Sequence, residues 1–347
     1  MLRENLIRQL NIMKNLGKHI IYICLSAAIS MTSMAETSDK PVCYYQAIEG
    51  DREAQFQLAE CYRTGKELEQ DWELAYQWYK KSAEQDYTPA MHALSVCLMD
   101  GYGTEKKPQE AIRIVTICAE RGYIKSIRAL IAVYVQGLGG NEKNPDIAKK
   151  WAQIGAELGD AKCTSSLGEM MVSPSFGINQ QEEGIKLLKK AAEGGAKRAA
   201  YLLGGIFLYG DCGQTINYVE ARHWLSLASE QNHADATFLL AIIYYKGLGV
   251  EHDLEKCAQL CLKSAQLGNG EARLTVALMY AKGEGLPEVP EHAIYWAKKA
   301  VDQGEPGADR IYQMLLQYYY FDNDAIIPVP IQDIDFNSLL RKESLTQ

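Results

Sequence analysis

Long apolar runs are scarce in this 347-residue chain, and runs of basic residues are scarcer. The one continuous apolar stretch that invites a membrane reading, Ile20 to Ile29, is shorter than the ~20 residues a spanning helix needs. Past the N-terminus no cluster of Lys and Arg occurs, and the formal net charge is −8. That balance argues against nucleic acid, whose phosphates are held by clustered cations that displace counterions. Catalytic signatures are missing as well. There is no G-x-S-x-G, no H-E-x-x-H and no phosphate-cradling loop, and the six histidines form no nucleophile–base pattern. Proline is sparse at ten and glycine frequent at 28, so glycine supplies the punctuation.

The N-terminus stands apart. Lys14 and Lys18 precede the apolar run, which ends in Ser33-Met34-Ala35 before Glu36. A basic segment, a short apolar core and a small-x-small site predict a cleaved secretory signal over residues 1–35, hence a periplasmic or secreted protein. Met13 is an alternative start. Cleavage removes four basic residues and one acidic residue, taking the formal charge to −11.

What the chain has in abundance is self-similarity. Slots for a small residue, two large ones and a turn read Ala54, Leu58, Tyr62, Gly65, then Ala90, Leu94, Leu98, Gly101. The clearest later copies are Ala199, Leu203, Phe207, Gly210 and Ala236, Leu240, Tyr244, Gly247. Spacings of three and four place each set on one helix face. Ten or eleven residues past each turn a second helix offers its own small residue, from Ala75 and Ala111 to Cys257 and Ala293. A further eleven residues on stands Asp86, Gly122, Gly159, Gly195, Asn232, Gly268 or Gly304. Only Gly, Asn and Asp take the left-handed conformation easily, so this column reads as a helix C-cap. The expectation is an all-α superhelix, a solenoid of about seven two-helix repeats over 51–321, whose hairpins bury little alone and much when stacked. Residues 36–50 form a capping half repeat. Residues 322–347 form a tail that Pro328 and Pro330 keep extended.

The copies resemble the Sel-one-like repeats, relatives of the tetratricopeptide repeats. Gly247-Leu248-Gly249-Val250 with Asp253, Leu203-Gly204, and Trp78-Tyr79-Lys80-Lys81 with Ala83 carry the likeness. It covers about residues 50–319. The fourth copy departs most, with Pro174 for the turn glycine and Gly184 for the second-helix alanine, and is expected to be bent or loose. The resemblance implies a non-enzymatic adaptor or scaffold that binds a protein or peptide partner, in envelope regulation, secretion or host interaction. Some cysteine-rich relatives are associated with β-lactam binding or hydrolysis. A rival reading is therefore an enzyme or binding protein for a cell-wall or β-lactam-like ligand, though no serine–lysine or zinc machinery is visible.

Eight of the nine cysteines survive signal cleavage. Cys163 and Cys257 occupy small core slots, where a thiol acts as a small hydrophobe. Cys257 and Cys261 with His252 begin a metal set, but a closed zinc site takes four ligands and no further pair is at hand; no metal or cofactor is expected. Cys43 and Cys61, at similar distances from the Gly50 turn, are the best disulfide candidates, and Cys61 with Cys97 compete.

By analogy with the tetratricopeptide repeats, the first-helix positions two, six and nine after the small slot face inward. In repeats five to seven they include Tyr201 and Leu208, then Phe238, Ile242 and Tyr245, then Leu274 and Leu278. These seven are the candidate partner-binding residues of an apolar concave groove; burial between repeats explains the same periodicity. The first half is more mixed, with Phe56, Glu60 and Arg63, then His92, Val96 and Met99. Residues 326–331, extended and apolar, are a candidate internal occupant of the groove, because tethering raises effective concentration.

Overall fold

The few prolines sit where a helix tolerates them. Pro108, Pro145 and Pro290 each open a helix and Pro89 is second in another, positions whose N–H has no intrahelical acceptor. Asp51, Asp71, Asn144, Asp160, Asn217 and Asp253 each accept the N–H three residues on, at 2.7–3.1 Å. Such caps stabilise a helix by roughly 1 kcal/mol each.

The structure, a computed structural model, describes residues 40–177 and 180–320. The expected signal segment and the tail from 322 onward lie outside the described residues. Among those described, sixteen α-helices and no strand occur, which makes the chain an α solenoid. It divides between Ser126 and Ile127 into two compact units. The first holds α1 (Tyr44–Glu49), α2 (Arg52–Thr64), α3 (Trp72–Glu84), α4 (Thr88–Asp100) and α5 (Pro108–Glu120). The division falls inside α6 (Ile124–Gln136). The second unit continues with α7 (Pro145–Glu157), α8 (Ala161–Val172), α9 (Gln181–Glu193), α10 (Lys197–Tyr209) and α11 (Tyr218–Glu230). It is completed by α12 (Ala234–Lys246), α13 (Leu254–Gln266), α14 (Gly270–Lys282), α15 (Pro290–Asp302) and α16 (Ala308–Tyr320).

The predicted C-cap column is left-handed throughout, from φ 57° at Asn232 to 106° at Gly268, with Asp86 at 61°. These residues turn the chain from each second helix into the next first helix. The small slots are buried in both helix sets: Ala54, Ala90, Ala199, Ala236, Ala75 and Ala221 are at most 3% exposed. A larger side chain at such a slot would force the helices apart, at a cost of about 1–3 kcal/mol.

The fourth repeat is not loose. A Cβ on Gly168 of α8 would stand 2.9 Å from the Gly184 carbonyl oxygen, and one on Gly184 would stand 2.7 Å from Val172 Cγ1. The glycine that replaces the usual alanine lets α8 and α9 approach more closely than a methyl permits. Pro174 opens a short 3₁₀ turn, Pro174–Phe176, which ends at the left-handed Gly177.

Candidate partner-binding face

The inward register separates the repeats into two kinds. In α12 every residue from Ala236 to Ile243 is buried, and in α14 every residue from Leu274 to Met279. A helix that is apolar all round is an enclosed helix. Phe238, Leu274 and Leu278 are at most 2% exposed, Tyr201, Leu208 and Ile242 are buried, and Tyr245 is half-buried. Six of the seven candidates thus belong to the core of the second unit. As placed here they offer a partner no surface, which agrees with the packing explanation of their periodicity. Tyr201 stacks on His233 with ring centroids 4.6 Å apart, and Tyr245 lies against His252.

In the first unit the same register is open. Phe56, Glu60, Arg63, His92 and Val96 line one cavity of about 380 Å³, and Val96 is solvent-exposed. Around them the walls are aromatic: Trp72, Tyr79, Tyr102 and Tyr123 complete the enclosure. Trp72 and Tyr102 stack with centroids 4.5 Å apart and planes 23° from parallel. Phe56 packs on Tyr79 and Tyr87 at 5.8 and 5.7 Å. The His92 ring meets Tyr123 edge-on, and its Nδ1 lies 2.9 Å from Ser126 Oγ.

An ion pair sits in that aromatic wall, together with Lys125. Arg63 donates to the Glu60 carboxylate from Nε at 3.0 Å and from its terminal nitrogen at 2.6 Å. The Tyr79 hydroxyl donates to the same carboxylate. Burial pushes the Glu60 carboxyl up, but these two donors outweigh it and hold the group below its usual range. The Tyr79 phenol is raised, by burial first and by the carboxylate second. His92 is lowered by burial and by the nearby Lys125 ammonium, which favours the neutral ring.

Trp72, Tyr102 and Tyr123 escape the inward register. Trp72 opens a second helix, Tyr102 lies in a turn and Tyr123 precedes α6. One signal existed in the sequence: Tyr102 stands between Gly101 and Gly103, where other copies place Leu138, Leu248 or Glu284. A Cβ on Gly103 would stand 1.9 Å from the Trp72 carbonyl oxygen. The bare backbone there lets the turn rest on the start of α3 and stacks Tyr102 on Trp72.

Cys43 and Cys61 meet across the Gly50 turn as free thiols within hydrogen-bonding reach. Burial, reinforced by the Cys43 sulfur, pushes the Cys61 thiol up to about 11. Cys97 packs instead with Ala59, Ala75 and Tyr79. Cys257 and Cys261 are buried neighbours on α13, with sulfurs 3.9 Å apart.

Seven consecutive segments, 52–87, 88–122, 130–160, 166–195, 197–233, 234–269 and 271–305, match the Sel1 repeat. The chain belongs to the Sel1 repeat family. Among curated relatives, Chitin synthase regulatory factor 3 of Schizosaccharomyces pombe is 24% identical over 245 residues, covering 68% of this chain and 26% of that protein. The Sel1-repeat-containing protein YjcO of Escherichia coli is 26% identical over 164 residues, covering 45% of this chain and 71% of YjcO. The chain thus spans about a quarter of the fission-yeast factor's length. A Sel1 repeat protein from Oxalobacter formigenes superposes with a TM-score of 0.64 at 24% identity, covering 79% of this chain and 78% of that one. A protective antigen of uropathogenic E. coli strains, displaying an SLR fold, gives 0.58 at 26% identity, covering 79% and 58%. In this Sel1 protein the repeat residues carry the fold, and the inward positions vary from copy to copy.

Proposed function

We propose that the protein is an exported, non-enzymatic scaffold that binds a protein or peptide partner through the face of its first helices. The observation that carries this is the change of the inward register from buried and apolar in repeats five to seven to open and chemically mixed in the first unit. An aromatic-walled cleft with an ion pair in its wall suits recognition: the rings supply contact area at low entropy cost and the charges fix orientation. Membership of a repeat family typical of interaction scaffolds supports the same reading. Export rests on the composition of residues 1–35, and N-terminal sequencing of the mature protein, expected to begin at Glu36, tests it.

A photo-crosslinking residue placed at the exposed Val96 should trap a partner in the exported fraction, whereas one at Lys80, exposed on a second helix, should not. Equal labelling from both positions, or from neither, defeats this reading. Residues 326–331 belong to the proposal as an internal occupant beside repeats five to seven. The Tyr319 hydroxyl donates to the Ala281 carbonyl at 3.2 Å, so α16 ends beside an inward position of the seventh repeat. Deleting residues 322–347 should raise hydrophobic-dye binding and lower the melting temperature. Unchanged values would place the tail elsewhere.

A further inference from the structure

The first turn of a helix favours acidic side chains, because its unpaired N–H groups leave partial positive charge there. Second helices of this chain follow the rule, with Glu73, Glu110, Asp146, Glu220 and Glu255 in their first turns. Two first helices of the second unit break it. Lys162 is the second residue of α8, Lys197 and Arg198 open α10, and neither first turn holds an acid. No gain within the helix accounts for these cations.

They surround one cavity. Lys162, Lys197 and Arg198, with Arg128 from α6, line a space of about 330 Å³ whose apolar wall is Ile131 and Ala196. An adjoining space of about 320 Å³ shares Arg128, Ile131 and Arg198 and continues past Val135, Met170 and Phe176. The result is a trough that carries the two lysines at one end and, at the other, mixes apolar side chains with Gln136 and the Arg198–Glu169 pair. Two of its cations are already matched: Arg128 grips Asp160 and Arg198 grips Glu169, each through two nitrogens. The two lysines are in excess. Lys197 reaches only the Gln231 and Asn232 carbonyls at 3.5 Å. The exposed Lys162 ammonium makes no ion pair or hydrogen bond among the described residues.

A second observation comes from Ser165, which lines the same cavity. It is 3% exposed, and its hydroxyl has no hydrogen-bond partner among the described residues. Helical serines commonly bond back to the carbonyl four residues earlier, as its neighbour Ser166 does to Lys162 at 3.1 Å. A buried hydroxyl without a partner is a rarity that an oxygen of a ligand would resolve.

We infer that this trough recognises an acidic segment of a protein partner, its carboxylates taken by Lys162, Lys197 and the Ser165 hydroxyl and an adjacent apolar side chain by the half-buried Val135 and Phe176. The inference rests on the scaffold reading and adds a partner chemistry at a place distinct from the aromatic cleft. Local excess positive charge on a chain of net charge −8 gives discrimination as well as attraction, since the remaining surface repels the same ligand.

The test uses the full mature chain and fluorescence anisotropy with a labelled, end-capped peptide of sequence Glu-Glu-Asp-Leu-Phe. Its amide counterpart Gln-Gln-Asn-Leu-Phe and inorganic phosphate are the competitors. The acidic peptide should bind saturably and weaken as salt rises, while neither competitor displaces it. Lys162→Glu with Lys197→Glu should weaken binding by at least about tenfold. Both lysines are exposed, so circular dichroism should be unchanged. Absence of binding at millimolar peptide, or unaltered affinity in the double variant, overturns the proposal. Equal affinity for the amide peptide overturns the acidic preference and leaves the scaffold reading standing. Displacement by phosphate at the peptide's own affinity shows a small-oxyanion site and also overturns it. Loss of crosslinking at Val96 would strike the scaffold reading instead, so the two failures are distinguishable.

Discussion

Gly168 and Gly184 face each other across the fourth hairpin, so closely that a methyl on Gly168 would stand 2.9 Å from the carbonyl oxygen of Gly184. In the other hairpins the position of Gly184 holds a residue with a side chain, usually alanine. Here alanine would also meet Met171 Cβ at 2.9 Å. Gly184→Ala restores the common residue and removes a helical glycine, a change worth up to about 1 kcal/mol in the helix's favour. The overpacking nevertheless wins, and a net loss of about 1–2 kcal/mol is expected in urea unfolding. A stabilised variant would show that the hairpin relaxes without strain.

The Arg128–Asp160 pair gives a pH signature. Burial raises the Asp160 carboxyl, but the guanidinium and the Cys163 N–H overcome this and lower it to about 2. A carboxyl depressed on folding contributes stability that is present above its unfolded pKa, near ~4, and is lost as the pH falls through about 2. Asp160→Asn keeps a competent N-cap while removing the charge. It should cost about 1 kcal/mol at pH 7, the guanidinium being partly exposed. The difference from the unsubstituted protein should vanish near pH 2, and a pH-independent difference would assign the effect to packing.

Tyr79 and Glu60 form the polar core of the aromatic cleft. Tyr79→Phe removes the hydroxyl hydrogen bond and should cost about 1 kcal/mol. The Glu60 carboxyl should then titrate at higher pH, visible in its carbon-13 shift, because burial remains and one of its two opposing donors is gone. An unmoved titration would mean that Arg63 alone holds the carboxylate.

Cys43 and Cys61 are free thiols within hydrogen-bonding reach of each other, and a bridge between them is the expected oxidation product. With oxidised glutathione as acceptor, the two thiols should lose two protons and two electrons to form one disulfide, leaving two glutathione thiols. Peptide mapping should find Cys43 joined to Cys61, and the 18-residue span between them makes the bridge worth about 3 kcal/mol. Joining of Cys61 to Cys97 would contradict the observed packing.

Phe238→Ala separates core from surface. A fully buried phenylalanine should cost about 3–5 kcal/mol on truncation. An effect below about 1 kcal/mol would show that its ring is not held by the core.

Much of this was written locally in the chain. The recurrence of the turn slot every 36 or 37 residues from Gly65 to Gly283, the small slots and the column from Asp86 to Gly304 determined the hairpins, because helix period, close approach and left-handed φ each demand particular residue sizes wherever they occur. The inward register of Phe56, Glu60, Arg63, His92 and Val96 was equally legible. Only the tertiary structure decided which inward residues remain open. Phe238 and Val96 occupy the same kind of apolar slot, yet one is enclosed and the other exposed. Burial depends on what neighbouring elements bring alongside, and periodicity carries no record of that. The same holds for Trp72 on Tyr102 and Lys197 near Ser165, about 30 positions apart and neighbours only when hairpins stack, and for the closeness of Gly168 to Gly184, which one hairpin's packing decides.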